Sequence, residues 1–421
     1  MRAAAAWCCF QMLLGGGAVS LAADTVRLDK ALFLDKCRGA WAGQMIGVSF
    51  GAPTEWAPGV IGFIWMARPN DSELAPWTPD RISNALQQDD VYVEMTFLKA
   101  MEDHGIDISP KQAGLAFAAS EYDLWHANLF GRENIRRGIM PPRSGHPKYN
   151  LHVNDIDFQI EADLFGIVCP GLPRESNRLC DRFGHIMCYG DGVYGGMFVA
   201  GMYAAAYFED CDVRAVVEAG LACIPAKSSY HRCISDVLRW HDEHPEDWLA
   251  TWHKVEAKWQ DNKDCEPYLL SNINANLNGA YVVMGMLYGN GDMGRTIEVA
   301  TRCGQDSDCN PSTAAGVLGC MKGLKAIDPQ WISGLTAIED KKFDYTGYSF
   351  KTLIPASQHI AEEVIRKAGG SVEADAYLIP RQTPRAPHRL EQWENDAGGI
   401  FEPVTTKELK LRTQATGAAK E

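Results

Sequence analysis

The sequence predicts an all-α fold, built as a single large domain with an irregular mid-chain loop region. Three observations carry this. Apolar residues recur at helical spacing along most of the 421 residues, as in Val91, Met95, Leu98 and Met101. Convincing alternating strand patterns are few. Glycines fall at a spacing of four, at Gly39, Gly43, Gly47 and Gly51, so a helix there carries one bare backbone face. With 46% apolar and 22% charged residues, and no low-complexity tract, the chain can bury a large core.

Residues 1–23 read differently from the rest. Arg2 precedes an apolar, acid-free run that ends in small residues before Asp24. That is the layout of a secretory signal peptide cleaved after Ala22 or Ala23, with an uncleaved N-terminal anchor as the alternative. Cys8 and Cys9 lie inside the run, which disfavours a lipoprotein. No later stretch reaches the ~18 unbroken apolar residues of a membrane span. The mature protein, residues 24 onward, is therefore expected to be secreted or periplasmic. Loss of a leader holding Arg2 and no acid takes the net charge from −14 to −15. Such acidity argues against nucleic acid or an anionic membrane as partner. The 13 cysteines include no CxxC pair and no Cys/His spacing of a structural zinc site. Cys169, Cys180 and Cys188 are near enough in sequence for a disulfide, and most others read as core thiols.

Residues 28–50 read as a helix. Each glycine in a helix costs about 1 kcal/mol, so the glycine face is expected to be one that another helix approaches closely. The same packing would carry Glu55 into the centre. A second helix starts near Val91, with Asp89 and Asp90 at its N-terminus, where free amides favour negative charge. One acid is a cap; two are more than a cap requires. Residues 111–126 form a further expected helix. Residues 136–173, rich in Pro, Gly and polar side chains, read as a loop long enough to be functional or lid-like. Its His146, His152, Asp155 and Asp157 are candidate substrate contacts, against the alternative of a solvated loop. Asn150 and Glu161 lie there too.

Residues 190–207 form a glycine-rich turn leading into an apolar helix. Its order matches neither a phosphate-binding loop nor a dinucleotide fingerprint. Asp191, Gly192 and Tyr194 remain candidates for substrate contact through a close backbone approach. Helical patterns continue over residues 213–222, 229–241 and 272–287. Asp306 and Asp308, two apart in a turn, can both face one cation, and Pro311 follows near the start of another helix. Ala314, Ala315, Gly316 and Gly319 make that helix small enough to pack against the glycine face. Residues 322–369 read as helical, closing a domain of 24–370, and 371–421 read as an extended tail.

Five acids, Glu55, Asp89, Asp90, Asp306 and Asp308, thus stand at probable helix ends. At ~4 Å and an effective dielectric of ~20, each like-charged pair repels by about 4 kcal/mol. Such a cluster is tolerable around cations, which points to a metal-dependent hydrolase.

The motifs resemble the ADP-ribosylglycohydrolase family over residues 35–323. Its N-terminal RGxxxGxxxGDxxGAPxE pattern is matched by Arg38, Gly39, Gly43, Gly47, Gly51, Ala52, Pro53 and Glu55. Its Thr-Asp-Asp motif corresponds to Gln88, Asp89 and Asp90. Its GGDTDT motif corresponds to Gly304, Gln305, Asp306, Ser307, Asp308 and Cys309, and its Gly-Asn-Gly turn to Gly190, Asp191 and Gly192. The resemblance implies an all-α bundle holding two magnesium ions that bind ribose hydroxyls and help water cleave a glycosidic bond. It makes Gln88, Asp89, Asp90, Asp306, Asp308 and Cys309 the metal set, with Glu55 and Asp90 as catalytic groups. Three departures bear on this. Gln88 and Cys309 replace metal-binding threonines, and a thiol suits a hard cation poorly, so one site could be altered, absent, or tuned to calcium or manganese. Val48 stands where the pattern has Asp. The leader suggests a substrate other than intracellular ADP-ribosylated protein. The expected function is hydrolysis of an N- or O-glycosidic bond to a ribose-like sugar in a small molecule or glycoside. A secreted furanosidase and a catalytically silent binding protein on the same scaffold are the alternatives.

Overall fold

The computed structural model describes residues 24–55, 74–260 and 273–392, the Glu55 side chain excepted. The expected leader and the last stretch of the expected tail, residues 393–421, lie outside them. Among the described residues, β1 (Thr25–Asp29) leads into the long α1 (Lys30–Glu55), and the 3-10 helix Pro79–Gln87 leads into α2 (Asp89–His104). Next come α3 (Pro110–Ala118), α4 (His126–Arg136), α5 (Asp157–Ile160), α6 (Asp163–Ile167), α7 (Pro173–Gly184) and α8 (Asp191–Ala206). The chain continues through α9 (Val213–Leu221), α10 (Ser229–Glu243), α11 (Trp248–Trp259), α12 (Ala275–Gly289) and α13 (Met293–Arg302). It closes with α14 (Cys309–Lys322), α15 (Pro329–Ile332), α16 (Phe350–Lys367), β2 (Ser371–Val372) and β3 (Ala376–Pro380). The fold is all-α, with one small sheet.

The centre is built from helices buried on every side: α8, α12, α14 and residues 39–49 of α1. The seam between α1 and α14 organises them. A Cβ added to Gly39 would meet the carbonyl oxygen of Gly319. At Gly43 it would meet that of Ala315, at Gly47 that of Pro311, and at Gly51 that of Ser307. Each distance falls below 3.0 Å, where real Cβ atoms essentially never lie. The partners descend in fours as the glycines ascend in fours, so the two helices lie antiparallel, backbone on backbone. The Thr54 and Ser307 hydroxyls, 2.7 Å apart, tie the end of the seam.

Four expectations need correction. Residues 136–173 are not one irregular loop: 137–156 are irregular as expected, but 153–170 are all buried and include α5 and α6, packed against α8. The helix expected over 111–126 is two pieces. A Ser109–Gln112 capping box starts α3. It ends at Ala118, and the Arg132 guanidinium holds the carbonyl of Tyr122 at 2.6 Å in the break before α4. Residues 371–380 are extended but paired. They join β1 in a sheet of order β1-β3-β2, with Leu28 opposite Tyr377. The Tyr377 ring meets Phe33 edge-on at 5.4 Å, so this sheet closes one end of the core. Finally, Cys169, Cys180 and Cys188 are buried free thiols.

Residues 381–392 run as a strap over α7 and α8. Arg174 Nε donates to the Thr383 carbonyl at 2.9 Å, and Glu391 pairs with His185 at 3.1 Å. No helix among the described residues is long and apolar enough to cross a membrane.

If the seam is as close as this, Gly47→Ala must force the paired backbones apart. We expect it to lower unfolding free energy by about 1–3 kcal/mol. Gly347→Ala, at an exposed glycine with nothing within 4 Å, should leave stability unchanged. Urea unfolding of both variants checks this, and equal midpoints would refute the seam.

Candidate metal centre

Two helix N-termini meet at one cavity. Asp89 and Asp90 occupy the first turn of α2, and Asp308 is the N-cap of α14. The positive ends of both helix dipoles therefore face the same point and favour negative charge there. The turn before α14 is shaped by two left-handed residues, Gly304 (φ 91°) and Gln305 (φ 53°). Asn278 of α12 secures it: its Oδ1 accepts from the Asp306 amide at 3.2 Å and from Asn310 Nδ2 at 2.9 Å.

The cavity has a volume of about 220 Å³. Gln88, Asp89, Asp306, Asp308 and Cys309 line it, together with His126, Asn128 and Asp157. Trp125, Tyr92, Ile156, Ile160 and Ile273 supply apolar walls. Asp90 lies directly behind Cys309, whose thiol donates to Asp90 Oδ2 at 3.3 Å. Donor atoms of Asp90, Asp308 and Cys309 all fall within 4.8 Å of one another. The other Asp90 oxygen, Oδ1, is buried without a hydrogen-bond partner among the described residues.

Burial and mutual repulsion govern these acids. Burial, then the charge of Asp308, pushes Asp89 up to about 7. The same two causes, in the same order, hold Asp90 and Asp306 well above the usual carboxylate range. Burial, then Asp306, raises Cys309 as well, so it stays a thiol and serves as a hydrogen-bond donor. The donor set fits a hard divalent cation: four carboxylates, one with an orphaned buried oxygen. Cys309 fits such a cation poorly and has another task. Gln88 Nε2 donates to Asn84 Oδ1 at 2.7 Å beside the cavity.

Below this layer lies a second one that the sequence reading missed. Glu94, one turn after Asp90 on α2, accepts the Leu164 amide at 3.3 Å. Asp163 accepts from the Tyr203 hydroxyl at 3.2 Å and from the Thr313 hydroxyl at 3.4 Å. Burial holds both well above the usual carboxylate range, which favours their protonated forms. An acid four residues after Asp90, flanked by Val93 and Met95, was the signal that could have found this layer.

The mid-chain candidates divide. Asp157 lines the cavity, accepts the Asn128 amide at 2.9 Å, and is lifted by burial to about 6. His152 and Asp155, 2.8 Å apart, stand beside His126, itself overlooked in the sequence reading although it lines the cavity. His146 does not reach it: its ring packs on Tyr189, and its Nδ1 accepts the Lys148 amide. Asp191, Gly192 and Tyr194 are also absent from the cavity wall. Asp191 accepts from Ser229 and Asn276, tying α8 to α10 and α12. Gly192 backs onto the Val153 carbonyl, and Tyr194 accepts the Glu391 amide of the strap at 2.7 Å. The Glu55 side chain is outside the described residues, although α1 ends beside Ser307.

The ADP-ribosylglycohydrolase family model matches residues 29–363. A solved structure described as an "ADP-ribosylglycohydrolase-related protein complex" is similar at 15% identity and a TM-score of 0.46. That match covers 79% of this chain and 99% of the other. No curated protein matches.

A cation entering this centre must displace protons. With Asp89 titrating at about 7 in the metal-free protein, divalent-metal affinity should rise with pH. We expect at least about tenfold weaker binding for each unit below 7. Calorimetry of magnesium or manganese binding between pH 5.5 and 8, in buffers of different ionisation enthalpy, checks this. Affinity independent of pH, with no proton release, would refute it.

Proposed function

This chain belongs to the ADP-ribosylglycohydrolase family, and from that membership we propose that it is a metal-dependent glycoside hydrolase acting on a ribose-like sugar. The supporting observation is the convergence of Asp89, Asp306 and Asp308, with Asp90 behind them, on one small cavity. A divalent cation held there would bind the sugar's vicinal hydroxyls and lower the pKa of a bound water. Magnesium is our first choice of ion, with manganese or calcium as alternatives.

The chain's own groups supply the rest. Asp157, lifted to about 6 by burial, can take up and release a proton near neutral pH in the same cavity as the acid cluster. We assign Glu55, at the end of α1, as the acid/base partner, and Asp90 as the carboxylate fixed in orientation by the Cys309 thiol. Trp125, Ile156, Ile160 and Ile273 limit water around the reacting bond. A volume of about 220 Å³ is below the roughly 300–1,000 Å³ of sites that enclose drug-sized ligands. It suits one sugar ring, with the leaving group outside.

That geometry also favours a second reading, a furanosidase for glycosides other than ADP-ribosyl adducts. Gln88 and Cys309 stand where the family pattern has threonines, which supports a shifted sugar preference. Export of the mature chain, which we propose on the leader-like composition of residues 1–23, points the same way.

Hydrolysis assays with magnesium or manganese on ADP-ribosylated peptides and on nitrophenyl furanosides separate the two readings. For whichever substrate turns over, Asp306→Asn and Asp89→Asn should lower kcat/KM by about two orders of magnitude or more. Full activity in both variants would refute the site. No turnover with any glycoside would return the protein to the silent-scaffold alternative.

A further inference from the structure

The cluster of His126, His152 and Asp155 is a metal-ligand group of a different chemical kind, built beside the carboxylate cavity. We infer that it is a second cation site, selective for a borderline transition ion such as zinc, with an open coordination position toward the cavity.

Local structure brings the three side chains together. Asp155 N bonds to the His152 carbonyl at 3.0 Å, a turn that puts both side chains on one side. His126 comes from elsewhere in the chain, at the first residue of α4, with φ 42°. Positive φ is uncommon for a non-glycine residue and is kept where the surroundings over-determine it. Both imidazoles direct Nδ1 at the same carboxylate oxygen: His152 Nδ1 lies 2.8 Å from Asp155 Oδ2 and His126 Nδ1 lies 3.3 Å from it. Only the first is a hydrogen bond. His126 Nδ1 is buried with no hydrogen-bond partner among the described residues. Its contact with Asp155 is at ion-pair distance but lacks hydrogen-bond geometry, an arrangement that an ion among the three donors would complete.

The dimensions agree. One donor atom from each residue falls within a group spanning 4.8 Å. Tetrahedral ligands about 2.0–2.1 Å from zinc stand about 3.3–3.5 Å apart, so small ring rotations complete the set. Two imidazoles and one carboxylate are the composition of an open zinc site with three protein ligands, and they suit a hard cation less than the all-carboxylate cluster does. His126 is the ligand that lines the cavity, so the proposed fourth position would open toward it. The protein would thus sort two cations by ligand softness within one site region.

The test uses the whole mature protein, stripped with chelator, saturated with magnesium, and titrated with zinc chloride by calorimetry. One zinc ion should bind. His152→Ala and Asp155→Asn should weaken it by about two orders of magnitude or more, and Asp306→Asn should not. Circular dichroism confirms that each variant is folded. X-ray absorption at the zinc edge of the unaltered protein gives an independent reading and should show imidazole scattering without sulfur. Sulfur scattering would place zinc at Cys309 and overturn the inference. So would zinc affinity unchanged in His152→Ala, or no zinc binding at all. None of these readouts depends on hydrolysis, so failure here leaves the proposed activity standing.

Discussion

Contact between the backbones of α1 and α14 is the constraint on which the rest of this protein depends. Gly39, Gly43, Gly47 and Gly51 are placed so that no side chain separates the helices, and each rests on a backbone carbonyl of the partner segment. Each such glycine costs about 1 kcal/mol in helix propensity. Close packing of α14 against the buried residues 39–49 of α1 offsets that cost through dispersion. The register then settles everything at the far end. With Gly51 against Ser307, the 306–308 turn cannot lie anywhere but at the end of α1, facing the first turn of α2. The acids are gathered by a steric fit that makes no use of their charge.

Charge is handled in two layers. Asp89, Asp90, Asp306 and Asp308 face or adjoin the cavity, where helix N-termini and a cation can hold them ionised. Glu94 and Asp163, deeper in the core, are pushed up by burial and serve as hydrogen-bonded polar groups. Cys309 belongs to the boundary. Its thiol, kept protonated by the same burial and by Asp306, orients Asp90. A threonine hydroxyl could do that and also ligate a hard ion. The thiol keeps only the first function, a concrete reason to expect altered metal preference here.

The features of the fold and site that were legible in the sequence are those with local signals. Glycines four apart foretold a close helix seam, and small residues from Ala314 to Gly319 foretold its partner. The acid pairs at helix starts contain Asp89, Asp306 and Asp308 of the cavity wall, while Asp90 lies behind it. What stayed hidden depends on contacts across long stretches of chain. Strand β1 pairs with residues 376–380, some 350 positions away, which no local pattern reveals. Residues 153–170 look loop-like from their Asp and Gly content, yet they are buried because their acids find partners such as Asn128, Tyr203 and Thr313. His126 was invisible as a site residue because its neighbours in the fold, His152 and Asp155, are distant in sequence. Asp191 and Tyr194 had the composition of a ligand-approaching turn, but the polar groups of Ser229, Asn276 and the strap already engage them.

A crystal grown with manganese, with anomalous diffraction recorded at the manganese edge, tests the central claim most directly. The seam and the acids it gathers require an anomalous peak bounded by Asp89, Asp90, Asp306 and Asp308, at the meeting point of α2 and α14. A structure with the seam intact and no peak among those carboxylates, or a peak only elsewhere, would contradict it.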